Sequence, residues 1–239
     1  MKNHLKIYIL LTFLMLTMSV YAQKILLQED VKAYFSNTDN YGPNLRHFRW
    51  VYLNYGHFAD SPEYPDFGTI PLRTYAFSGG IYYKLKLARF YSIGIGTEYN
   101  LNNFTISQIA GKTFPTQTIH TKERVRLHRV GLEAYQRLSF GNRGNVMGFF
   151  LDIGYYYNYA FSTRLIILDK YDKPMYGAKT IEILYKNLEF VNNFNYGARV
   201  RLGYNRYSVF ADYRVSDLLD SNIGVQMPRL AVGLQLALH

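Results

Sequence analysis

The chain has 239 residues and carries 27 Lys and Arg against 17 Asp and Glu, which gives a formal net charge of +10. It contains no cysteine, so disulfides do not hold it together and Cys-based metal sites are excluded. Its mean hydropathy of −0.15 excludes a protein built from several membrane-spanning helices. It does not exclude a membrane β-barrel, whose strands alternate apolar and polar residues.

The first 22 residues have the three parts of a secretory signal peptide. Lys2 and Lys6 provide a positive start, residues 7–20 are apolar, and small Ala22 stands just before Gln23. The apolar stretch is too short for a comfortable membrane span. We therefore expect cleavage after Ala22, with an uncleaved anchor helix as the alternative. An exported chain that is rich in tyrosine and lacks cysteine points to the envelope of a Gram-negative bacterium.

Residues 23–46 do not alternate cleanly between apolar and polar positions. The stretch QEDVKAYF (28–35) is compatible with a short helix, and NTDNYGPN (37–44) has the composition of a turn. This pattern predicts a periplasmic N-terminal segment, placed so that it could reach under or into the strands that follow.

From residue 48 onward the dominant pattern is a period of two. In YSIGIGTEYNLNN (91–103) apolar and aromatic residues alternate with Ser, Gly, Glu and Asn, which is typical of a strand with one greasy and one polar face. Gly94 and Gly96 fall on the polar face, where we expect them to make room for large neighbours. Eight such segments predict eight strands, at residues 48–59, 74–87, 91–108, 123–140, 147–167, 181–204, 207–215 and 230–238.

The connections between these segments are short and long in strict alternation. Residues 88–90, 141–146 and 205–206 are short, whereas the linkers near 60–73, 109–122, 168–180 and 216–228 are longer. Short periplasmic turns and longer extracellular loops are typical of outer-membrane barrels. We therefore predict an all-β protein, a closed eight-stranded antiparallel transmembrane β-barrel formed by residues 47–239, with both termini on the periplasmic side.

Eleven charged residues lie opposite the apolar set of their own strand. They are Lys84, Lys86, Glu98, Arg129, Glu133, Arg137, Asp152, Arg199, Arg201, Asp212 and Arg214. A soluble barrel with these charges outside is the alternative. The signal peptide, the sorted turns, the aromatic greasy face and strands longer than the usual five or six residues favour lipid outside and charge inside.

Glu98, Glu133, Asp152, Arg199, Asp212 and Arg214 fall at similar heights when each strand is counted from its short-turn end, and the remaining charges lie near them. An eight-stranded barrel has room inside only for side chains, and unpaired buried charges are costly. The sequence therefore predicts a structural, salt-bridged plug. A polar passage for protons or small ions is the alternative.

The layout of the chain resembles that of small outer-membrane β-barrel proteins of Bacteroidetes, the OmpX/OmpA-like and PorT-like group. The resemblance is carried by VYAQ (20–23), by the eight alternating strands and by the last strand. In AVGLQLAL (231–238), Gly233, Leu236 and Leu238 match the terminal signal that barrel-assembly machinery recognises. Ala231 and His239 depart from it, where a polar and an aromatic residue are expected. The resemblance implies assembly by that machinery, and the group includes accessory barrels of protein secretion.

The fifth and sixth predicted strands are about twice as long as the roughly 9–11 residues that span a membrane. At about 3.3 Å per residue their hairpin would project roughly 20–30 Å beyond the lipid. Its tip, LDKYDKPMYGAK (168–179), offers Tyr171, Lys173, Tyr176 and Lys179 as candidate contact residues. A protruding sheet edge can pair with an incoming strand. An inert, solvated hairpin is the alternative.

Motifs for catalysis are weak in this sequence. Some outer-membrane lipid deacylases place a Ser two residues after a His on a strand. Here the residues two places after His47, His57, His120 and His128 are Arg49, Ala59, Lys122 and Val130, so none of the four matches. HExxH and phosphate-binding glycine loops do not occur. We therefore predict a non-catalytic protein without a cofactor or metal.

We expect this protein to act as an interaction or assembly element of the outer membrane. The basic balance suits lipid and lipopolysaccharide headgroups, or an envelope protein partner, and nucleic acid does not fit this location. Alternatives are an accessory subunit of a secretion or barrel-assembly complex, a narrow channel for ions or small solutes, and a lipid-modifying enzyme.

Overall fold

The computed structural model describes residues 40–60, 64, 66–141, 144–175 and 178–238, with the backbone alone at 172–175 and 178. The predicted signal peptide (1–22), residues 23–39 of the predicted N-terminal segment, Tyr176 and His239 lie outside these residues. No helix in the described part of the chain has the length and apolarity needed to cross a membrane.

The described residues form an all-β protein whose strands are all antiparallel to their neighbours. The nine strands are β1 (His47–Phe58), β2 (Tyr75–Lys86), β3 (Tyr91–Ile106), β4 (Lys122–Phe140), β5 (Phe149–Met175), β6 (Ala178–Lys186), β7 (Phe194–Tyr204), β8 (Tyr207–Arg214) and β9 (Leu230–Leu238). Eight of them form a ring in the order β1-β2-β3-β4-β5-β7-β8-β9, and β9 pairs with β1 to close it.

The ring has a turn end and a loop end. Short connections join β2 to β3, β4 to β5 and β7 to β8 at the turn end, which also holds the start of β1 and the finish of β9. The loop end carries the longer connections 59–74, 107–121 and 215–229, together with the upper part of β5 and all of β6. The predicted sorting of short and long connections is therefore found.

The predicted sixth strand, 181–204, is wrong as a single element. It consists of β6 and β7, separated by residues 187–193. Asn187 has a φ of 55°, in the left-handed region that asparagine tolerates, and the chain then turns so that Leu188 and Val191 are buried. Only β7 belongs to the ring, and β6 pairs with the upper half of β5 outside it. In turn, β5 continues to Met175 through much of the predicted loop.

Alternation within the ring places the polar faces inside and the greasy faces outside. Leu132 and Tyr155 are 64% and 71% exposed on the outer face, whereas Glu133 and Asp152 are buried. Gly94 and Gly96 make room for aromatic rings, as the sequence predicts. A Cβ atom built on either glycine would lie 2.3 Å from the ring of Tyr135 or Tyr82, respectively.

A cluster of apolar side chains, here named the apolar cap, closes the loop end. A bulge near Phe161 exchanges the inward and outward positions of β5. Odd-numbered residues before the bulge point outward, whereas Leu165 and Ile167 after it point toward the ring axis. The long connections fold over them. The buried members of the apolar cap are Phe58, Phe67, Phe104, Ile106, Phe114, Val125, Leu127, Leu165, Ile167, Leu188, Val191, Leu218, Leu219, Val225, Met227 and Ala231. Beside the cap, Lys112 and Glu123 form a fully buried ion pair.

Residues 40–46 lie across the turn end of the ring. The Asn44 side chain donates to the Gly144 carbonyl at 2.8 Å, and the Asn44 backbone amide donates to the Asn145 side chain at 3.1 Å. From β2, Lys86 donates to the Asn44 carbonyl at 2.9 Å and Lys84 donates to the carbonyl of Pro43. Lys84 and Lys86 therefore hold the end of the N-terminal segment and are not partners of the interior carboxylates.

Candidate functional site

Arg199 on β7 is the centre of an ion-pair network inside the ring. Its Nη1 atom lies 2.9 Å from Glu98 Oε2 and 2.6 Å from Glu133 Oε2, and its Nε atom lies 2.6 Å from Asp212 Oδ1. Asp212 stands directly opposite Arg199 on the neighbouring strand, whereas Glu98 and Glu133 reach it across the interior from β3 and β4. One guanidinium therefore ties four strands together.

The network continues toward the turn end through two further arginines. The Nη2 atom of Arg201 lies 2.6 Å from Glu133 Oε1, and its Nε atom lies 3.1 Å from Asp152 Oδ2. Arg137 makes a bidentate contact with Asp152, at 2.7 and 2.8 Å. We call these residues the charge network: Glu98, Glu133, Arg137, Asp152, Arg199, Arg201 and Asp212.

Aromatic rings surround the charge network on its turn-end side. The guanidinium of Arg137 lies 3.9 Å from the ring centroid of Phe150 and 4.9 Å from that of Trp50, and Arg201 lies 4.4 Å from that of Tyr82. The Tyr82 hydroxyl also donates to Glu133 at 2.7 Å. Since Arg199 and Arg201 are each 1% exposed, these contacts replace water around buried cations.

Of the eleven charges predicted to point inward, Arg129 and Arg214 lie outside the charge network, as do Lys84 and Lys86. Arg129 donates to the side-chain oxygens of Asn195 at 2.6 Å and Asn100 at 3.0 Å. Arg214 donates to the carbonyls of Met227 at 2.8 Å and Pro228 at 3.1 Å. Among the described residues neither arginine forms a salt bridge with a carboxylate. The expectation that the inward charges pair with opposite charges is therefore wrong for Arg129 and Arg214.

The expectation that Arg214 shares a layer with Asp212 is wrong because both residues lie on β8, two positions apart. Two residues along a strand correspond to a rise of roughly 6–7 Å. Arg214 stands opposite Gly197 on β7, two positions toward the loop end from the Arg199–Asp212 pair. At that height it meets the carbonyls of the connection that closes the loop end.

The charge network has no free acid or base to offer to a substrate. Each of its four carboxylates contacts at least one arginine. The described residues contain no group of three or more His, Asp and Glu side chains that could hold a metal ion. Packed between the aromatic rings and the apolar cap, the network cross-links the strands of the ring.

A second candidate site is the hairpin outside the ring, defined as residues 164–186 of β5 and β6. Its strands pair in register from Arg164 with Lys186 to Lys170 with Thr180. No other described strand pairs with the far edge of β6. Ile183, Leu184 and Tyr185 are exposed there, and Tyr185 is 52% exposed. Large apolar side chains therefore flank an open strand edge.

The ladder of hydrogen bonds identifies which backbone groups of β6 face this open edge. The Asn187 amide donates to the Thr163 carbonyl at 2.9 Å, so this pair is a hydrogen-bonded one. Because hydrogen-bonded and non-hydrogen-bonded pairs alternate in antiparallel ladders, Tyr185 and Ile183 also point their amides at β5. The N–H and C=O groups of Leu184 and Glu182 then point toward the open edge.

The structure places two of the four predicted contact residues of the hairpin. Tyr171 is 38% exposed near its tip, and Lys179 is exposed on β6. The side chains of Lys173 and Tyr176 lie outside the described residues. Sequence reasoning missed Ile183, Leu184 and Tyr185. These three residues are consecutive and apolar, whereas a strand with one buried face alternates apolar and polar residues. This missing alternation was the available signal.

The base of the hairpin is tied to connection 107–121. His120 Nδ1 and Asp169 Oδ2 lie 2.8 Å apart, and the Thr121 amide donates to Asp169 Oδ1 at 3.0 Å. Partial burial raises the pKa of Asp169, but the contacts with His120 and Thr121 outweigh this effect and hold the pKa below its ordinary value. The Lys170 amide donates to the Thr121 hydroxyl at 3.0 Å, which completes the connection.

The predicted assembly signal lies on β9, where it pairs with β1. A Cβ atom built on Gly233 would lie 2.2 Å from the Tyr55 carbonyl oxygen and 2.4 Å from the Gly56 Cα atom. Glycine is therefore needed at position 233 for the close approach of these two strands, whatever else recognises it. Leu236 and Leu238 point outward and are exposed.

No protein-family model matches this chain, and no curated protein matches it.

Proposed function

We propose that this protein is a non-catalytic β-barrel of the Gram-negative outer membrane, which binds an envelope protein by strand addition to the open edge of β6. The observation that carries the proposal is this edge: a regular strand outside the ring, with apolar side chains beside it and no described neighbour on one side. Incoming strands use such edges because main-chain hydrogen bonds supply affinity and flanking side chains supply specificity.

The outer surface supports the membrane part of the proposal. Large apolar and aromatic side chains are exposed around the ring, including Ile95, Leu132, Tyr155 and Leu234, whereas the charge network lies inside. In water this would be a very large exposed apolar surface, which soluble monomers avoid. In a bilayer the same side chains would contact lipid, with tyrosines near the headgroups and basic residues near lipopolysaccharide. The turn end would then be periplasmic and the hairpin extracellular.

The packed interior disfavours the channel alternative. A conducting pore needs a continuous wet path, but this ring holds the charge network, an aromatic layer and the apolar cap in series along its axis. Conductance in planar bilayers is the direct check. We expect the purified protein to give no channel openings above those of the bilayer alone, and stable openings would instead assign the ring a transport role.

The strand-addition proposal is tested with a pair of substitutions at one position. Leu184→Pro removes an N–H that faces the open edge but leaves the amides that pair with β5 in place, and edge strands tolerate proline at such positions. Leu184→Ala also shortens the side chain but keeps the N–H. A photo-crosslinking residue at Glu182 reports the partner in native outer membranes. We expect at least about tenfold less adduct with the proline variant, since about 1.4 kcal/mol corresponds to a factor of ten.

The controls separate edge pairing from general stickiness. A crosslinker at Tyr213, on the outer wall of the ring, should give no adduct with the same partner. Equal yields from Leu184→Pro and Leu184→Ala would exclude main-chain recognition. The absence of any adduct at Glu182 would exclude the hairpin as a docking element.

A further inference from the structure

A small polar cavity lies between the charge network and the apolar cap. Its volume is about 20 Å³, and its walls include Arg129, Arg214, Asn100, Asn158 and Asp212. A cavity of roughly 10–15 Å³ is enough for one water molecule. The space therefore suits a single water-sized group, beside arginine and asparagine side chains.

The charges around this cavity do not balance. The charge network has three arginines against four carboxylates, so it carries one net negative charge. Arg129 and Arg214 add two positive charges, and both are buried. Together these nine residues are five arginines and four carboxylates, with an excess of one positive charge. Buried Lys84 lies apart from them and donates to the Pro43 carbonyl. In a poorly hydrated interior such an excess is expensive unless a counter-charge is present.

The excess is located at the cavity because the carboxylate in its wall is already engaged. Asp212 accepts from Arg199 through both oxygens, at 2.6 and 2.8 Å. Arg129 and Arg214 have only neutral oxygens as hydrogen-bond partners among the described residues. Three arginines line the cavity, and Arg129 and Arg214 are the two without a carboxylate, since Arg229 contacts Asp217.

Unused polar atoms mark the same place, and they include the side-chain oxygens of Asn102 and Asn158 as well as two donors. The Nε atom of Arg129 and the Nδ2 atom of Asn158 are buried and have no hydrogen-bond partner among the described residues. Buried donors of this kind normally find an acceptor. An anion accepts from several donors at once and neutralises the excess charge, whereas a water molecule would do only the first of these.

We propose that this cavity binds one small monovalent anion, of which chloride is the representative. It is held by Arg129 and Arg214 with help from the neighbouring asparagines, and it completes the charge balance of the interior. Phe58 and Ala231 of the apolar cap line the same cavity, so the anion is a structural ligand of the folded protein. This inference does not depend on the hairpin or on its partner.

The first test uses bromide, a heavier halide, on the whole protein. The protein is refolded and crystallised in sodium bromide, and the anomalous scattering of bromine is measured. We expect a peak within hydrogen-bonding distance of Arg129 and Arg214. In parallel, the melting temperature is followed as bromide replaces gluconate at constant sodium concentration, because gluconate is too large for the cavity. Mass action predicts a rise of about 3–6 °C for each tenfold increase in bromide above its Kd.

The second test supplies the missing charge within the chain. Asn100→Asp has nearly the same shape as the wild type and places a carboxylate where the side-chain oxygen already accepts from Arg129 at 3.0 Å. We expect this variant to melt higher than the wild type in gluconate and to lose its response to bromide. Asn54→Asp is the matched control, because Asn54 is also buried but accepts no hydrogen bond from an arginine. It should melt lower in both salts and keep the bromide response.

The proposal is overturned if the wild type shows neither an anomalous peak nor a bromide response, which would mean that the cavity holds only water. It is also overturned if Asn100→Asp folds and responds to bromide as the wild type does. If Asn100→Asp does not fold, the anomalous peak and the bromide response of the wild type decide the question alone.

Discussion

The charge network inside the ring and the hairpin outside it differ in how their polar groups are used. In the charge network each carboxylate meets at least one arginine, and no described group is left for an incoming molecule. On β6 the backbone groups of Glu182 and Leu184 face an edge that no other described strand occupies. Satisfied buried groups stabilise a fold, whereas unsatisfied edge groups create a binding surface. Under the proposed function, the interior stabilises the ring and the hairpin binds the partner.

The largest effect is expected from Arg199→Leu, because it leaves Glu98, Glu133 and Asp212 without their shared cation. Removing one partner from a buried ion-pair network costs about 3–5 kcal/mol. The midpoint of urea unfolding should fall accordingly, while crosslinking from the hairpin in the protein that remains folded should be unchanged. Arg46→Leu is the control, since Arg46 is exposed and takes part in no described salt bridge. Equal losses from both variants would contradict a special role for the charge network.

The next largest effect concerns the glycines that face the aromatic layer. Gly94→Ala would place a methyl group 2.3 Å from the Tyr135 ring, and overpacking of this kind costs about 1–3 kcal/mol. Adding Tyr135→Leu should recover most of that loss, because the smaller side chain vacates the space. Thermal unfolding of the two single variants and the double variant measures the coupling. Strictly additive losses would mean that the ring of Tyr135 is not what requires glycine at position 94.

The sequence correctly predicts that Gly94 and Gly96 make room for large neighbours, and this shows which parts of the fold can be predicted. Parity along a strand decides which face each residue occupies, so the inward positions of Glu98, Arg199 and Asp212 follow from a period of two. Parity gives the face that a residue occupies but not the partner that it meets there. The neutral partners of Arg129 and Arg214 could therefore not be predicted.

The loop end could not be predicted for a different reason. Leu218, Leu219, Val225 and Met227 are buried in the apolar cap, but their spacing in the sequence follows neither a strand nor a helix period. Their burial depends on where the other connections fold, which is long-range information. The break at Asn187 was missed because the apolar residues around it continue the appearance of one long strand.

A smaller and local effect is expected from proline substitutions in β6, which test the assignment of its two edges. Ile183→Pro removes an amide that points at β5, so the hairpin should open and its amide protons should exchange at least about tenfold faster, the effect of about 1.4 kcal/mol. Leu184→Pro removes an amide that points away and should leave exchange in β5 nearly unchanged. The unfolding midpoint of the ring should stay the same in both variants. If Leu184→Pro opened the hairpin and Ile183→Pro did not, the amide of Leu184 rather than that of Ile183 would point at β5.

The smallest effect is expected where the two regions meet, at the contact between Asp169 and His120. Because contacts with His120 and Thr121 hold the pKa of Asp169 below its ordinary value, its charge stabilises the folded arrangement above that ordinary value of about 3.9. This stabilisation is lost as the pH falls through the lowered pKa. Asp169→Asn should therefore speed proteolysis of residues 107–121 at neutral pH, by no more than about fivefold, the effect of a partly exposed ion pair.

Acidification separates this contact from the charge network. As the pH falls below about 4, the wild type should approach the proteolysis rate of Asp169→Asn, and the two rates should meet once Asp169 is protonated. The ring should remain resistant over the same range if its buried carboxylates keep their arginine partners. A difference between the two proteins that persists after protonation would show that the Asp169 side chain acts through its shape rather than its charge. The hairpin would then be positioned by packing alone.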